Sequence, residues 1–440
     1  MKLKLLLALL VFQVGFAQNR TCGSNQLMQT IMDNPTKRAA YLEQQAKFEI
    51  EMQKLESNTQ RNVNNAIRIP VAVHYPTGGS LSATVKTCLR RLAQRQVAIL
   101  NADYNGTNTD ISNWASVSDN YPETTTGSLN VVFEIATQNH PDGTGLVNGD
   151  LAVTFGTDFI GSGVINCQDG CNEDLTWSGY MNIVVTNIAN NILGFSPLGG
   201  SPAAGRTVVI DNNAFGATLT GSPTSCTGYV PGVPYNKGRT LTHELGHFFN
   251  LAHTFSGCNE PNCAVYTPSN PRGDGVCDTP ITDQPRYDCN AADNPPDPAV
   301  SGQAISTCGF LQLTMNYMDY VQDACMYMFT AGQAARMQAW YNTISSQFTT
   351  TALAKEEFLQ NQFTLYPNPS KGSFTIEFKE LTNNYSVEVF DVTGKTIYEN
   401  NFDQSANLTQ VIALDKPASG VYFVNIQSDK GLVTKKLVIQ

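Results

Sequence analysis

His243-Glu244-Leu245-Gly246-His247-Phe248-Phe249-Asn250-Leu251-Ala252-His253 places three of the chain's five histidines within eleven residues. On a helix, His243 and His247 project from one face, as residues four apart do. Two imidazoles so placed suit one metal ion. Glu244 lies about 100° further round the helix, where it reaches a metal-bound water without being a ligand. His253, six residues past His247, leaves that face if the helix runs on. The chain must turn, and Asn250 is the candidate, because asparagine tolerates the helix-ending left-handed conformation best after glycine. Three neutral imidazoles leave one position of a tetrahedral Zn²⁺ open, which is the catalytic arrangement and not the structural one. The competing reading, a helix with ordinary surface or core histidines, is weakened by the correctly spaced third histidine in so histidine-poor a chain.

The pattern HExxHxxGxxH is the metzincin signature, matched here except that Asn250 stands for the glycine. From Gly238-Arg239-Thr240-Leu241-Thr242 through Leu251-Ala252-His253-Thr254-Phe255 the segment resembles the pappalysin (cytophagalysin) family of metzincin peptidases. Asn316-Tyr317-Met318-Asp319-Tyr320 resembles that family's Met-turn, which implies that Met318 lies as an apolar floor under the zinc. It also implies that Tyr320 stabilises the tetrahedral intermediate. Gly273-Asp274-Gly275-Val276-Cys277-Asp278-Thr279-Pro280 resembles a family segment near the active site that can bind calcium. The resemblance covers residues 66–350. Some family members carry an aspartate just before the cysteine that follows the Met-turn, which favours Arg after the scissile bond. Here that position is Ala324, with Asp323 one residue earlier, so the resemblance does not carry arginine specificity over.

Met1-Lys2-Leu3-Lys4 and the apolar run Leu5 to Phe16 form a signal peptide over residues 1–18, with Ala17 as the small residue before the cut. No later segment approaches transmembrane length, and Asn19-Arg20-Thr21 before Cys22 lacks what a lipoprotein signal needs. Export follows, to the extracellular space or cell surface. Eleven cysteines agree with an oxidising destination, and the odd number leaves at least one free. Six of them (Cys258, Cys263, Cys277, Cys289, Cys308, Cys325) cluster between the zinc helix and just past the Met-turn. Disulfides that restrain long loops fit this better than a structural zinc, because paired C-x₂-C spacing is lacking. Cys167 and Cys171 are candidates for a local pair, and family resemblance implies Cys289–Cys325. A net charge of −10 argues against nucleic acid or an anionic membrane as a general partner.

Residues 19–65 read as a pro-segment. Lys37 to Ser57 is rich in helix formers, with Tyr41, Phe48, Met52 and Leu55 on one face and Ile50 off it. The polar run 56–65 is a plausible processing site. Residues 66–350 form the catalytic domain, of α/β class. Strands are expected at Arg68–Tyr75, Asn130–Ile135, Tyr180–Thr186 and Arg206–Ile210. Helices are expected at Thr84–Tyr104, about Tyr235–Asn250 for the zinc helix, and near Gly332–Ser345. The metzincin resemblance implies that a strand near Val208-Val209-Ile210 is the sheet edge and pairs with extended substrate. After a linker at 351–362, residues 363–440 show short alternating strands with turn signals, the pattern of a small all-β Ig-like sandwich. Tyr366-Pro367-Asn368-Pro369-Ser370, Val392-Thr393-Gly394-Lys395 and Gly420-Val421-Tyr422-Phe423-Val424 resemble the C-terminal sorting domain of type IX secretion in Bacteroidetes. The resemblance implies that the type IX secretion machinery is a partner. The alternative is a generic Ig-like binding module.

These readings converge on a secreted zinc metalloendopeptidase that hydrolyses peptide bonds in protein or peptide substrates, with Zn²⁺ as cofactor. Glu244 is the expected general base acting on a zinc-bound water. Cys22, in Arg20-Thr21-Cys22-Gly23, is a candidate zinc ligand in the zymogen, similar to the cysteine switch of some metzincin pro-segments. The alternative is that Cys22 forms a disulfide, for instance with Cys88. Asp274, Asp278 and Thr279 offer hard oxygens for Ca²⁺. His74 on a strand and His140 in a turn read as structural. Asn105-Gly106-Thr107 and Asn407-Leu408-Thr409 match sequons by coincidence. Two other functions compete: a secreted zinc amidase or deacetylase, and an adhesin-like binder with a vestigial site. The Met-turn tyrosine argues against the first and the retained Glu244 against the second.

Overall fold

A computed structural model describes residues 20–57, 67–165, 175–258, 273–287, 308–353, 363–378, 384–391, 395–403, 409–428 and 431–440, apart from 157, 160, 162, 206, 220–222 and 416. The expected signal peptide, all but the first two residues of the processing run at 56–65, Cys167, Cys171, Cys263 and Cys289 lie outside these residues.

The chain opens with helices α1 (Ser24–Asp33) and α2 (Pro35–Ser57), broken at Asn34, whose backbone is extended. Tyr41 and Phe48 of α2 are buried, Met52 and Leu55 pack against the core, and Ile50 faces solvent, as the helical spacing requires. Strand β1 (Ile67–Tyr75) then enters the centre of a mixed sheet. It is buried almost throughout, as a strand covered on both faces must be. Pro70 is tolerated there because only β2 is paired at its level: pairing with β4 begins one residue later, at Val71.

Helix α3 (Ala83–Tyr104) is capped by Ser82, which accepts from the Val85 amide, and turns Leu89, Leu92, Val97 and Leu100 inward. Strands β2 (Val131–Ile135), β3 (Val153–Phe155), β4 (Met181–Thr186), β5 (Gly194–Phe195) and β6 (Val208–Asp211) complete the sheet. Its order is β2-β1-β4-β6-β5 with β3 also on β1, all pairs parallel except β5 against β6. The expected edge at Val208–Ile210 is therefore corrected. That strand is interior, and the two-residue β5 covers it. The alternating and apolar runs were long enough to read, whereas β5 is too short to carry a period.

Helix α4 (Arg239–Phe248) starts four residues later than expected, and helix α5 (Ala331–Ile344) is closed by a capping box between Thr330 and Gln333. Residues 363–440 form two antiparallel sheets, β10-β9-β12-β13 and β11-β8-β7. Their strands are β7 (Phe363–Tyr366), β8 (Ser373–Phe378), β9 (Asn384–Asp391), β10 (Thr396–Asp403), β11 (Thr409–Ala413), β12 (Gly420–Ser428) and β13 (Gly431–Ile439). Phe374, Ile376, Val387, Val389, Val424 and Leu437 fill the space between them. This is the expected Ig-like sandwich. Among the described residues no helix is long and apolar enough to cross a membrane.

Cys88 of α3 is bonded to Cys226, which rules out a Cys22–Cys88 bridge. Cys258 is bonded to Cys308, and Cys277 and Cys325 are also in disulfides. The Cys88–Cys226 bridge spans a sequence separation of 138. Replacing both cysteines by alanine is expected to cost about 2–5 kcal/mol of stability. A urea melt reads this directly, and an unchanged midpoint would mean that the bridge does not restrain the unfolded chain.

Candidate metal centre

Helix α4 begins without a side-chain cap of its own, because its N-cap is Gly238, which has no side chain and sits left-handed at φ 79°. The cap comes from the segment after the Met-turn: Asp323 Oδ2 accepts the amides of Lys237 at 2.8 Å and Arg239 at 3.2 Å. A carboxylate at this end also suits the helix dipole. Arg239, the first helical residue, is buried and ties the helix to its surroundings. It donates to Asp110 at 2.8 and 2.9 Å, to Asp103 at 3.3 Å, and to the carbonyls of Asp323 and Met326. Its guanidinium lies over the Tyr317 ring, 5.4 Å from the centroid. At the far end, Asn250 takes φ 67° and the Leu251 amide closes back on the Gly246 carbonyl at 2.9 Å. The turn is where the sequence requires it, and it returns His253 to His247.

The three imidazoles are buried and mutually close: ring centroids are 4.8 Å apart for His243–His247, 5.2 Å for His243–His253 and 4.5 Å for His247–His253. His243 Nδ1 lies 2.7 Å from the Tyr317 carbonyl and His247 Nδ1 2.7 Å from the Leu251 carbonyl. A carbonyl only accepts, so each Nδ1 carries the proton and each Nε2 presents a lone pair inward. His243 Nε2 is buried with no hydrogen-bond partner, and His247 Nε2 faces His253 Nε2 at 3.0 Å. Burial pushes His247 down to about 4 and lowers His243 and His253 well below the usual range, so all three are neutral. Converging lone pairs on neutral rings fit a soft divalent cation.

Cys22 completes this donor set. One ligand atom from each of Cys22, His243, His247 and His253 lies within 4.8 Å of the others, and all four residues are buried. Cys22 is the free cysteine among the described residues. Its Sγ lies 3.3 Å from Glu244 Oε2, which also accepts from Ser24 Oγ at 3.2 Å. Burial raises the Glu244 carboxyl to about 7, and burial with the Glu244 charge raises the Cys22 thiol. Gly194 is required where β5 crosses Glu244, since a Cβ there would lie 2.8 Å from Glu244 Cγ. Gly23 is also closely packed: a Cβ there would lie 3.1 Å from Phe195 Cβ and would push the Ile165 terminus aside.

Residues 21–23 lie along β5. Cys22 bridges Gly194 in parallel, Leu193 N donates to Thr21 O and Gly23 N donates to Gly194 O, both at 2.9 Å. Just upstream, Arg20 is buried in an ion pair with Asp323 Oδ1 at 2.5 Å, its guanidinium 4.9 Å from the Tyr235 ring centroid. Sequence reasoning missed this pair. Its signal was present in Arg20 beside the Cys-Gly step and in Asp323 beside the position that the family resemblance makes acidic.

Met318 is buried with its Sδ against Gly246, where an added Cβ would come within 2.3 Å. Tyr320 lies beside the cluster, 5.0 Å from the His253 ring and 5.7 Å from the His243 ring, and burial raises its hydroxyl. Asp274 is buried and accepts from Thr279 Oγ1 and the Val276 amide. Asp278 is separately engaged: it accepts from Thr330 Oγ1 and the Gly332 amide at the start of α5. His74 is held between Thr154 and Asn182, and His140 reaches the Asp150 carbonyl, both structural as expected. The grouping of Asp283 with Cys258 and Cys308 offers no thiolate ligands, because those sulfurs are bonded to each other.

Residues 177–342 match the family described as pregnancy-associated plasma protein-A, a peptidase family, and residues 364–440 match the secretion system C-terminal sorting domain. An extracellular metalloprotease of Verticillium alfalfae is 43% identical over 109 residues, which are 24% of this chain and 33% of that protein. Another, of Arthroderma otae, is 32% identical over 170 residues, 38% of this chain and 52% of that protein. The chain thus spans between a third and about half of the length of these curated relatives. Among solved structures, mature mirolysin of Tannerella forsythia with a cleaved peptide is 24% identical, with a TM-score of 0.45 over 66% of this chain and 97% of that one. That likeness is too slight to argue from. Over residues 177–342 the chain is homologous to the pappalysin-like metzincin metalloproteases, and residues 364–440 are a secretion system C-terminal sorting domain.

Proposed function

We propose that this chain is a secreted zinc-dependent metalloendopeptidase made as a zymogen. The observation that carries the reading is the convergence of three neutral imidazoles on one point beside the buried Glu244 carboxyl. His243, His247 and His253 would hold the ion. Zinc in that position supplies a Lewis acid that polarises the scissile carbonyl and acidifies water. Glu244 takes the proton from the attacking water and delivers it to the leaving amine, a task for a carboxyl near neutrality. Tyr320 donates a hydrogen bond to the developing oxyanion of the substrate. Glu244 is not needed to hold a metal, so its presence favours turnover over a vestigial site. The sorting domain supports export through the type IX secretion machinery.

Asp323 supports a preference for a basic side chain beside the scissile bond, because its buried carboxylate already accommodates Arg20. Digestion of denatured protein by the processed chain is expected to stop both on Glu244→Gln and on adding 1,10-phenanthroline. Sequenced products are expected to show Arg or Lys adjoining the cut. Activity in the Glu244→Gln protein would remove the assigned base.

Latency is supported by Cys22 among the metal donors and by residues 21–23 along the sheet edge. A thiolate is a strong zinc ligand, and the pro-segment hydrogen bonds to Glu244 occupy the base. Cys22→Ala is expected to give a precursor that is active or degrades itself. Latency equal to that of the native precursor would refute the switch.

Calcium at Asp274 and Thr279 is supported by a buried carboxyl that burial raises to about 7, a state that a divalent cation would relieve. Calcium-selective chelation is then expected to lower the melting temperature with the zinc retained. An unchanged melt would remove the site.

A further inference from the structure

We infer that the catalytic unit carries a second recognition surface, formed by Asn250, Arg336 and Trp340, whose partner is helix α2 of its own chain. This rests on the reading of residues 19–65 as a pro-segment, but it uses neither Cys22 nor the metal donors. The central contact is a reciprocal amide pair: Gln45 Nε2 donates to Asn250 Oδ1 at 3.1 Å, and Asn250 Nδ2 donates to Gln45 Oε1 at 3.0 Å. Beside it, Phe48 is fully buried, with its ring 5.7 Å from Trp340 and the Arg336 guanidinium 4.7 Å from its centroid. Arg336 Nε in turn donates to the Asn250 carbonyl at 2.8 Å, so one residue of the turn is held from both the α2 side and the α5 side.

The surface is shaped for close approach. Gly199 has φ 73°, and a Cβ there would lie 2.9 Å from Gln45 Nε2 and 2.7 Å from Trp340. The Gly199 and Gly200 amides donate to the His247 and Phe248 carbonyls, and a Cβ on Gly200 would run into the Phe248 ring. Trp340 Nε1 donates to the Gly200 carbonyl at 2.9 Å, fixing the indole that Phe48 meets.

Asn250 itself is informative. At φ 67° a glycine would be strain-free, whereas asparagine gives up some of that freedom. What asparagine adds is an amide with both a donor and an acceptor, and Gln45 engages both. The residue at the turn therefore serves helix recognition as well as turning. Asn34 interrupts the helical path between α1 and α2, which still touch through Met28 and Tyr41. The pro-segment is accordingly held twice, at the metal cluster and on this surface, through contacts that share no residue.

The test uses the full chain and reads no peptidase activity, so it is independent of the latency experiment. In Gln45→Ala/Phe48→Ala, the amides of residues 35–57 are expected to exchange at least about tenfold faster than in the native chain. Cys22 is expected to stay as unreactive toward a thiol reagent as before. Lys47→Ala, on the exposed side of α2, is the control and should change neither. If α2 exchange is unaltered, the surface does not hold the helix. If Cys22 becomes reactive in step with α2, the two holds are one, and the inference fails. Gln45→Ala alone gives the same reading, at smaller amplitude, should the double variant not fold.

Discussion

The left-handed turn at Asn250 is the constraint on which the rest depends. It ends α4 just after His247 and sends the chain back so that His253 meets the other two imidazoles. Without it the histidines would be spread along a helix and the lone pairs would not converge. The same turn closes on the Gly246 carbonyl, and Gly246 is the residue against which Met318 packs. One backbone conformation thus positions the donors above and the apolar floor below.

What holds the donors in their protonation state is burial combined with two carbonyls. Tyr317 and Leu251 each offer an acceptor to an Nδ1, which leaves Nε2 free to face inward. The Tyr317 carbonyl is itself positioned by a larger assembly. Arg239 stacks near the Tyr317 ring and binds Asp103 and Asp110, so α3 and the segment after it are tied to the start of the zinc helix. The buried ions of this assembly are compensated by one another and by backbone groups, the condition under which charges are tolerated away from water.

The legible parts were the local ones. His243, Glu244, His247 and His253 lie in one helical turn and a half with its exit, and the long strands and α3 carry clear periods. Even the turn at Asn250 could be located, because spacing demanded a break and only one nearby residue suited it. The missed parts are set by pairing across the chain. Strand β5 is two residues long, and its role comes from covering β6. The Arg20–Asp323 pair joins positions 303 apart, and Cys88–Cys226 joins α3 to a loop. In the sandwich, β10 (Thr396–Asp403) contains Glu399-Asn400-Asn401, residues that disfavour strands. It is a strand because β9 pairs with it.

Asp323 has two duties that cannot be separated. One oxygen receives the amides that start the zinc helix, and the other meets a guanidinium. A substitution that neutralises the second also weakens the first. Among descendants of this chain, replacing Asp323 would therefore need a compensating cap for α4 in place beforehand. The hold on Arg20 is inherited together with the integrity of the helix, and diversification is more open at contacts that carry no such double duty.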